Sequence, residues 1–213
     1  MNQKKIGLLG GTFDPVHYGH LQLAKSAIEE CNLDKVVFIP SAQPPHKKGA
    51  SITPFQHRLA MLTLAGACKN RFECDAIEET LPKPSYTIDT LRQLRKQYDD
   101  QHCLYFMIGA DAFLDILTWK SHREILHSVN IILSRRKGYD AEHLIMLLEN
   151  LGYTASNGLW HGNDGNKSIY ILEKIPDCLS SSVIRAMINK GEPVQEYLPE
   201  PVMEYIQKNK LYQ

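Results

Sequence analysis

The chain has 213 residues, 43% of them hydrophobic, and its 24 lysines and arginines are balanced by 24 aspartates and glutamates. That length and apolar content suit one substantial α/β domain over residues 1–213 and exclude a disordered chain. The charge balance excludes the basic field of a nucleic-acid binder, and no apolar run suits a membrane span, so a small-molecule partner is expected.

The start of the chain reads as the first strand of the fold: residues 5–9 form a short apolar run with no cleavage site after it. Leu21, Ala24, Ile28 and Cys31 then recur at helical spacing. Between strand and helix stands Gly10-Gly11-Thr12-Phe13-Asp14-Pro15-Val16-His17-Tyr18-Gly19-His20. Glycines there allow close backbone approach, and the free N–H groups and positive dipole end of the helix favour anions. His17 and His20 lie about one turn apart, so both imidazoles can face one phosphate chain. The stretch has neither the Gly-Lys-Ser/Thr ending of a P-loop nor the G-x-G-x-x-G dinucleotide fingerprint.

Residues 35–39 read as a second strand, followed by a Pro- and Lys-rich loop with His46 and Lys47 that either contacts an anionic group or is a solvated turn. Thr53-Pro54-Phe55-Gln56 predicts a capping-box start, with proline at the first helical position, for a helix running to about residue 68. Strands follow at 72–77 and 103–108, the second ending at Gly109, with a helix at 87–98 between them. A fifth strand at 129–133 precedes a helix at 141–151. Residues 152–166, with four glycines and three asparagines, read as a variable connection without function. A sixth strand is expected at 167–172, and a helical portion over roughly 180–213.

This alternation predicts a Rossmann-like, doubly wound parallel sheet with a helical C-terminal portion, its site at the C-terminal ends of the strands where the order reverses. Gly109-Ala110-Asp111 falls at that edge, where Asp111 suits a ribose hydroxyl or a metal-bound water. Trp119 suits either ring stacking or the core, and Arg135 and Arg136 add charge or are solvated. Ser180-Ser181-Ser182-Val183-Ile184-Arg185 places hydroxyl caps and a guanidinium on one helix face, a phosphate clamp or a plain N-cap. The cysteines Cys31, Cys68, Cys74, Cys103 and Cys178 are odd in number and include no C-x-x-C pair, which predicts reduced thiols in a cytoplasmic protein.

Taken in order, Gly-Gly-Thr-Phe-Asp-Pro-x-His-x-Gly-His, Pro-Pro-His-Lys, Ser-Tyr-Thr-Ile-Asp-Thr-Leu from residue 85, Gly-x-Asp, Thr118-Trp119, Ser134-Arg135-Arg136 with Gly138, and Ser-Ser-x-Ile-Arg resemble the bacterial nicotinate mononucleotide adenylyltransferases over nearly the whole chain. The resemblance implies transfer of AMP from ATP to nicotinate mononucleotide, with Mg²⁺ accompanying ATP and no dedicated protein ligand set for the metal. It implies ATP contacts at Gly10, Gly11, Thr12, Phe13, His17, His20, Gly109, Asp111, Ser181, Ser182 and Arg185, of which His17, His20 and Arg185 act in catalysis. Acceptor contacts follow at His46, Lys47, Thr87, Trp119, Lys120 and Arg136. Lys120 either favours nicotinate by its charge or points to solvent. The alternatives are a related enzyme preferring nicotinamide mononucleotide or another phosphate acceptor, and a nucleotide-binding module without turnover. A homo-oligomer is compatible with either.

Overall fold

The computed structural model describes residues 3–44, 52–66, 70–135, 140–174 and 179–213. Its strands are β1 (Lys4–Gly11), β2 (Lys35–Pro40), β3 (Phe72–Cys74), β4 (His102–Gly109), β5 (Asn130–Ser134), β6 (Tyr153–Ser156), β7 (Leu159–Gly162) and β8 (Ile169–Ile171). The helices are α1 (Tyr18–Cys31), α2 (Phe55–Leu64), α3 (Ile77–Thr80), α4 (Thr87–Gln97), α5 (Ala110–Leu114), α6 (His122–Ser128), α7 (Ala141–Asn150), α8 (Ser181–Asn189) and α9 (Glu200–Lys208).

The sheet runs β3-β2-β1-β4-β5-β8-β7-β6. The pairs from β3 through β8 are parallel, and only the β8-β7-β6 edge is antiparallel. From β1 the chain first winds outward to β2 and β3, then returns to lay β4 on the other side of β1, so the order reverses between β1 and β4. Crevices at such a reversal open at the carboxyl ends of the strands. The β1–β4 ladder ends with Leu9 level with Met107, so Gly10 and Gly11 on β1 and Ile108 and Gly109 on β4 lie beyond its last pair.

The central strands β1, β2, β4 and β5 are buried on both faces, as continuous apolar strands require. Along β4, Leu104, Phe106 and Ile108 enter one core with Ile88 and Leu91 of α4, Phe113 of α5 and Leu144 and Leu148 of α7. Tyr105 and Met107, pointing the other way, join Ala24 and Ile28 of α1, Met61 and Leu62 of α2, Ile184 of α8 and Val202 and Ile206 of α9.

Several boundaries differ from the sequence reading. Residues 153–162 form a hairpin whose turn, Asn157-Gly158, has φ of 52° and 76°. Asn-Gly supplies the two left-handed positions that a tight hairpin needs, so the supposed variable connection is an ordered antiparallel edge. β3 stops at Cys74 because the Asp75 carboxylate accepts the Ile77 N–H at 2.9 Å and turns the chain into α3. α2 has Pro54 rather than Thr53 as its N-cap, with no side-chain cap, and ends at Leu64 before Gly66 at φ 77°. Cys31 and Cys103 are free thiols, but Cys74 is disulfide-bonded, so the reduced reading does not hold for that residue. No helix among the described residues is long and apolar enough to cross a membrane.

Candidate active site at the β1–α1 turn

The turn begins with a steric requirement. A Cβ at Gly11 would lie 2.9 Å from the tip of the Phe13 ring. Phe13 itself takes a left-handed φ of 50°, and its ring is 1% exposed. The ring packs tilted on Phe38 at 5.8 Å and edge-on to His20 at 4.9 Å. Gly10 faces the other layer, where Phe106 lies 3.5 Å from its Cβ position and also meets Trp119 edge-on at 6.5 Å.

After the cis Asp14-Pro15 bond, His17 is the extended N-cap of α1 and is buried at 6% exposure. Its backbone N–H donates to Nδ1 of His20 at 3.3 Å, one half of a capping-box arrangement, and the two imidazole rings stand 3.8 Å apart. A lone pair on Nδ1 fixes the neutral His20 ring as the Nε2–H tautomer, a donor on the edge away from the backbone.

The carbonyls of this turn are captured by side chains from distant parts of the chain. Thr12 accepts from Arg58 Nη1 at 2.7 Å, Asp14 from Arg185 Nη1 at 2.7 Å and Pro15 from the Ser181 hydroxyl at 3.0 Å. The Asp14 side chain, 3% exposed, accepts the Tyr212 hydroxyl at 2.6 Å and the Thr53 N–H at 3.3 Å. Arg58 also gives its Nε–H to the Thr53 carbonyl at 2.8 Å. Burial draws the Arg58 guanidinium below its ordinary pKa, while the nearby Asp14 carboxylate pulls it back up. Burial and the bond to Asp14 together push the Tyr212 phenol well above its ordinary range.

Ser181 and Arg185 thus reach the histidine turn, and the contacts they make there are to backbone carbonyls. Ser180 is the N-cap of α8, and Ser182 is exposed with its hydroxyl 2.9 Å from that of Ser180. On β4, Gly109 is the N-cap of α5, with nothing within 4 Å of its Cβ position, and Asp111 is exposed in the first turn.

The acceptor candidates lie along the next layer. The stretch after β2 is tied to the start of α4: Ala42 N–H donates to the buried Glu78 carboxylate at 3.1 Å, and Gln43 N–H to the Ser85 hydroxyl at 3.2 Å. The other Glu78 oxygen accepts from the Thr90 hydroxyl at 2.9 Å. These bonds set Thr87, the first residue of α4, beside the carboxyl end of β2. Trp119 is partly buried against the core. Lys120 is exposed, and its ammonium donates to Asp89 at 2.8 Å and sits 4.6 Å from the Tyr86 ring centroid. Arg135 is bound to the Leu172 and Glu173 carbonyls at 2.9 and 2.8 Å. His46, Lys47, Arg136 and Gly138 lie outside the described residues.

Sequence reasoning missed Asp14 as a hub, together with Arg58, Glu78 and Tyr212. Arg58 did leave a signal: it shares the buried face of α2 with Met61 and Leu62 at i+3 and i+4, a position where a charge requires partners. Tyr212 left none, because its partner is 198 residues away. Among the described residues there is no cluster of three or more His, Cys, Asp or Glu able to hold a metal ion.

Residues 8–187 match the family described as cytidylyltransferase-like. A probable nicotinate-nucleotide adenylyltransferase of Desulfotalea psychrophila is 44% identical, the alignment covering 98% of this chain and all of that one. A protein of the same description from Thermoanaerobacter is 38% identical, covering 98% and 94%. Among solved structures, the nicotinic acid mononucleotide adenylyltransferase of Plasmodium falciparum complexed with NaAD has the same fold, with a TM-score of 0.73, 20% identity and coverage of 98% and 97%.

Proposed function

The chain belongs to the cytidylyltransferase-like family, among the nicotinate-nucleotide adenylyltransferases, and from that premise we propose that it transfers AMP from ATP to nicotinate mononucleotide, releasing deamido-NAD and pyrophosphate. The observation that carries the reading is the seating of His17 and His20, with rings 3.8 Å apart, at the N-terminus of α1 where the strand order reverses.

The acceptor phosphate is already an anionic nucleophile at neutral pH, so no covalent enzyme intermediate is needed. Its oxygen forms a bond to the α-phosphorus of ATP as the bond to the β-phosphate oxygen breaks, and pyrophosphate leaves with that electron pair. The protein's task is to hold two anions in line and offset their repulsion. His17 and His20 hold the triphosphate and meet the charge that shifts across the α-phosphate. Gly10, Gly11, Thr12 and Phe13 bring the backbone close to it. Arg185 has N–H groups beyond the one bound to Asp14, and these, with the Ser182 hydroxyl and the backbone N–H of Ser181 at the start of α8, serve the leaving pyrophosphate.

Gly109 and Asp111 meet the ATP ribose, the open space at Gly109 supporting that assignment. Thr87 and Trp119 meet the nicotinate ring and carboxylate, with the Lys120 backbone beside them and His46, Lys47 and Arg136 supplying further charge. Mg²⁺ accompanying ATP would offset the negative charge of the triphosphate, with no protein ligand set assigned to it. A cytoplasmic location goes with this use of ATP, and the whole chain works as one nucleotidyltransferase unit.

Pyrophosphate release from ATP with nicotinate mononucleotide, compared with nicotinamide mononucleotide, tests the reading. His17→Ala and His20→Ala are each expected to lower kcat by about 10²–10³-fold, the scale of losing one oxyanion contact, with the melting temperature little changed. Near-wild-type turnover in both variants would refute it.

A further inference from the structure

The last turn of the chain reaches the histidine loop. Tyr212, the penultimate residue, donates its hydroxyl to Asp14 Oδ1 at 2.6 Å, and Asp14 stands three residues before His17. Tyr212 has a left-handed φ of 65°, and Lys210, two residues earlier, one of 51°. A β-carbon makes that conformation costly, and it persists where the surroundings over-determine it. On the opposite side of the same bond, Phe13 is left-handed as well. Two aromatic residues therefore hold unfavourable backbone on either side of one buried carboxylate.

The route by which the tail arrives is also built. Tyr205 of α9 hydrogen-bonds His57 of α2 at 2.9 Å, and the Leu211 N–H returns to the Ile206 carbonyl at 3.0 Å, which folds the chain end back toward the loop. The next residue of α2, Arg58, holds the Thr12 carbonyl. The loop is thus gripped at Thr12 from α2, at the Asp14 and Pro15 carbonyls from α8, and at the Asp14 carboxylate from the chain end.

Arg185 gives one of its five N–H groups to the loop and in the proposed scheme offers others to the ligand, and Ser181 gives its hydroxyl to the loop while its backbone N–H opens α8. Tyr212 is different, since its hydroxyl is spent on Asp14. We propose that Tyr212 is a positioning residue for adenylyl transfer: through the Asp14 carboxylate it fixes the 12–17 backbone, and with it the placement of His17 over the α-phosphate. This inference rests on the adenylyltransferase reading above. It goes beyond that reading by assigning a function to the C-terminal turn, which touches neither substrate in that scheme.

The test is steady-state pyrophosphate release by the full-length protein, with each substrate varied in turn. Tyr212→Phe keeps the ring and removes the hydroxyl. It is expected to lower kcat about tenfold while KM for nicotinate mononucleotide stays within twofold, because the acceptor is held by residues of another layer. In an Asp14→Ala background the same change is expected to have less than a twofold further effect on kcat, the signature of two groups acting as one unit. If Asp14→Ala does not fold, Asp14→Asn takes its place in the cycle. An unchanged kcat in Tyr212→Phe, a rise in KM alone, or fully multiplicative effects in the double variant overturns the proposal while leaving the function intact. A wild-type protein that releases no pyrophosphate from ATP and nicotinate mononucleotide overturns the functional reading, and this inference with it.

Discussion

Replacing Gly11 with alanine tests the packing that shapes the turn. The new methyl would fall 2.9, 3.0 and 3.2 Å from three carbons of the Phe13 ring, where an ordinary carbon–carbon contact is about 3.5–4.0 Å. Relief needs a ring displacement of roughly 0.5–1 Å. The ring has little freedom to supply it, being 1% exposed and wedged between Phe38 and His20. Overpacking of this kind costs about 1–3 kcal/mol, or a fall in Tm of roughly 2–10 °C for a chain of this size.

The larger effect is expected in rate. Moving Phe13 shifts the His20 ring against which its edge rests, and with it the Nδ1 contact that orients the His17 backbone. A misplacement near 1 Å at the reacting groups costs up to about 10²-fold, so kcat for pyrophosphate release should fall by one to two orders of magnitude. Gly109→Ala is the control, because nothing lies within 4 Å of its Cβ position. It should leave Tm unchanged, and any loss of ATP affinity would then report a ligand in that space. Gly11→Ala with both kcat and Tm near wild type would refute the account of the turn.

Glu78→Ala removes both of the buried acceptors that face the Ala42 N–H and the Thr90 hydroxyl. Leaving such a group unsatisfied costs about 1–3 kcal/mol, to be read by urea unfolding, and the loosened start of α4 should raise KM for the acceptor more than it lowers kcat. A stability change under about 0.5 kcal/mol would contradict this. Alkaline stability gives an independent check on Tyr212, whose phenol pKa is raised above its ordinary 10.0 by burial and then by Asp14. A raised pKa means that the folded state holds the proton more tightly, so the contribution is complete below pH 10 and is lost as pH rises above it. Unfolding free energy should therefore fall above pH 10, and Tyr212→Phe should remove up to about 1.4 kcal/mol per pH unit of that slope. Burial raises Tyr105 and Tyr153 too, so a slope remains in the variant. Identical slopes would argue against the Tyr212–Asp14 bond.

The parts legible in the sequence were those encoded locally. The apolar runs of β1, β2, β4 and β5, the glycines at Gly10 and Gly11 and the one-turn spacing of His17 and His20 each depend on residues a few positions apart. The Asn157-Gly158 turn was equally local. It was passed over because β6 and β7 are four residues each, β6 mostly exposed and β7 mostly half-buried, too short to show a clear alternation. The clasp on the turn was not legible, since Arg58, Ser181, Arg185 and Tyr212 meet it from 46, 166, 171 and 198 residues away. Nothing in local spacing shows which atoms such side chains reach.

The difference matters most for Ser181 and Arg185, where spacing left a phosphate clamp or a plain N-cap open, the resemblance implied an ATP contact, and the structure shows carbonyl contacts. The two roles are physically compatible. A carbonyl oxygen facing a phosphate repels it, so a loop that cradles phosphate must turn its carbonyls away and satisfy them elsewhere. Donors from α2 and α8 at Thr12, Asp14 and Pro15 do this, and two of the three are guanidinium groups. Each guanidinium has five N–H donors and gives the loop one, so Arg185 keeps hydrogen-bonding capacity for the pyrophosphate contact proposed above. Removing it should therefore cost more than the loss of one phosphate contact, because the backbone that presents His17 loses its anchor in the same step.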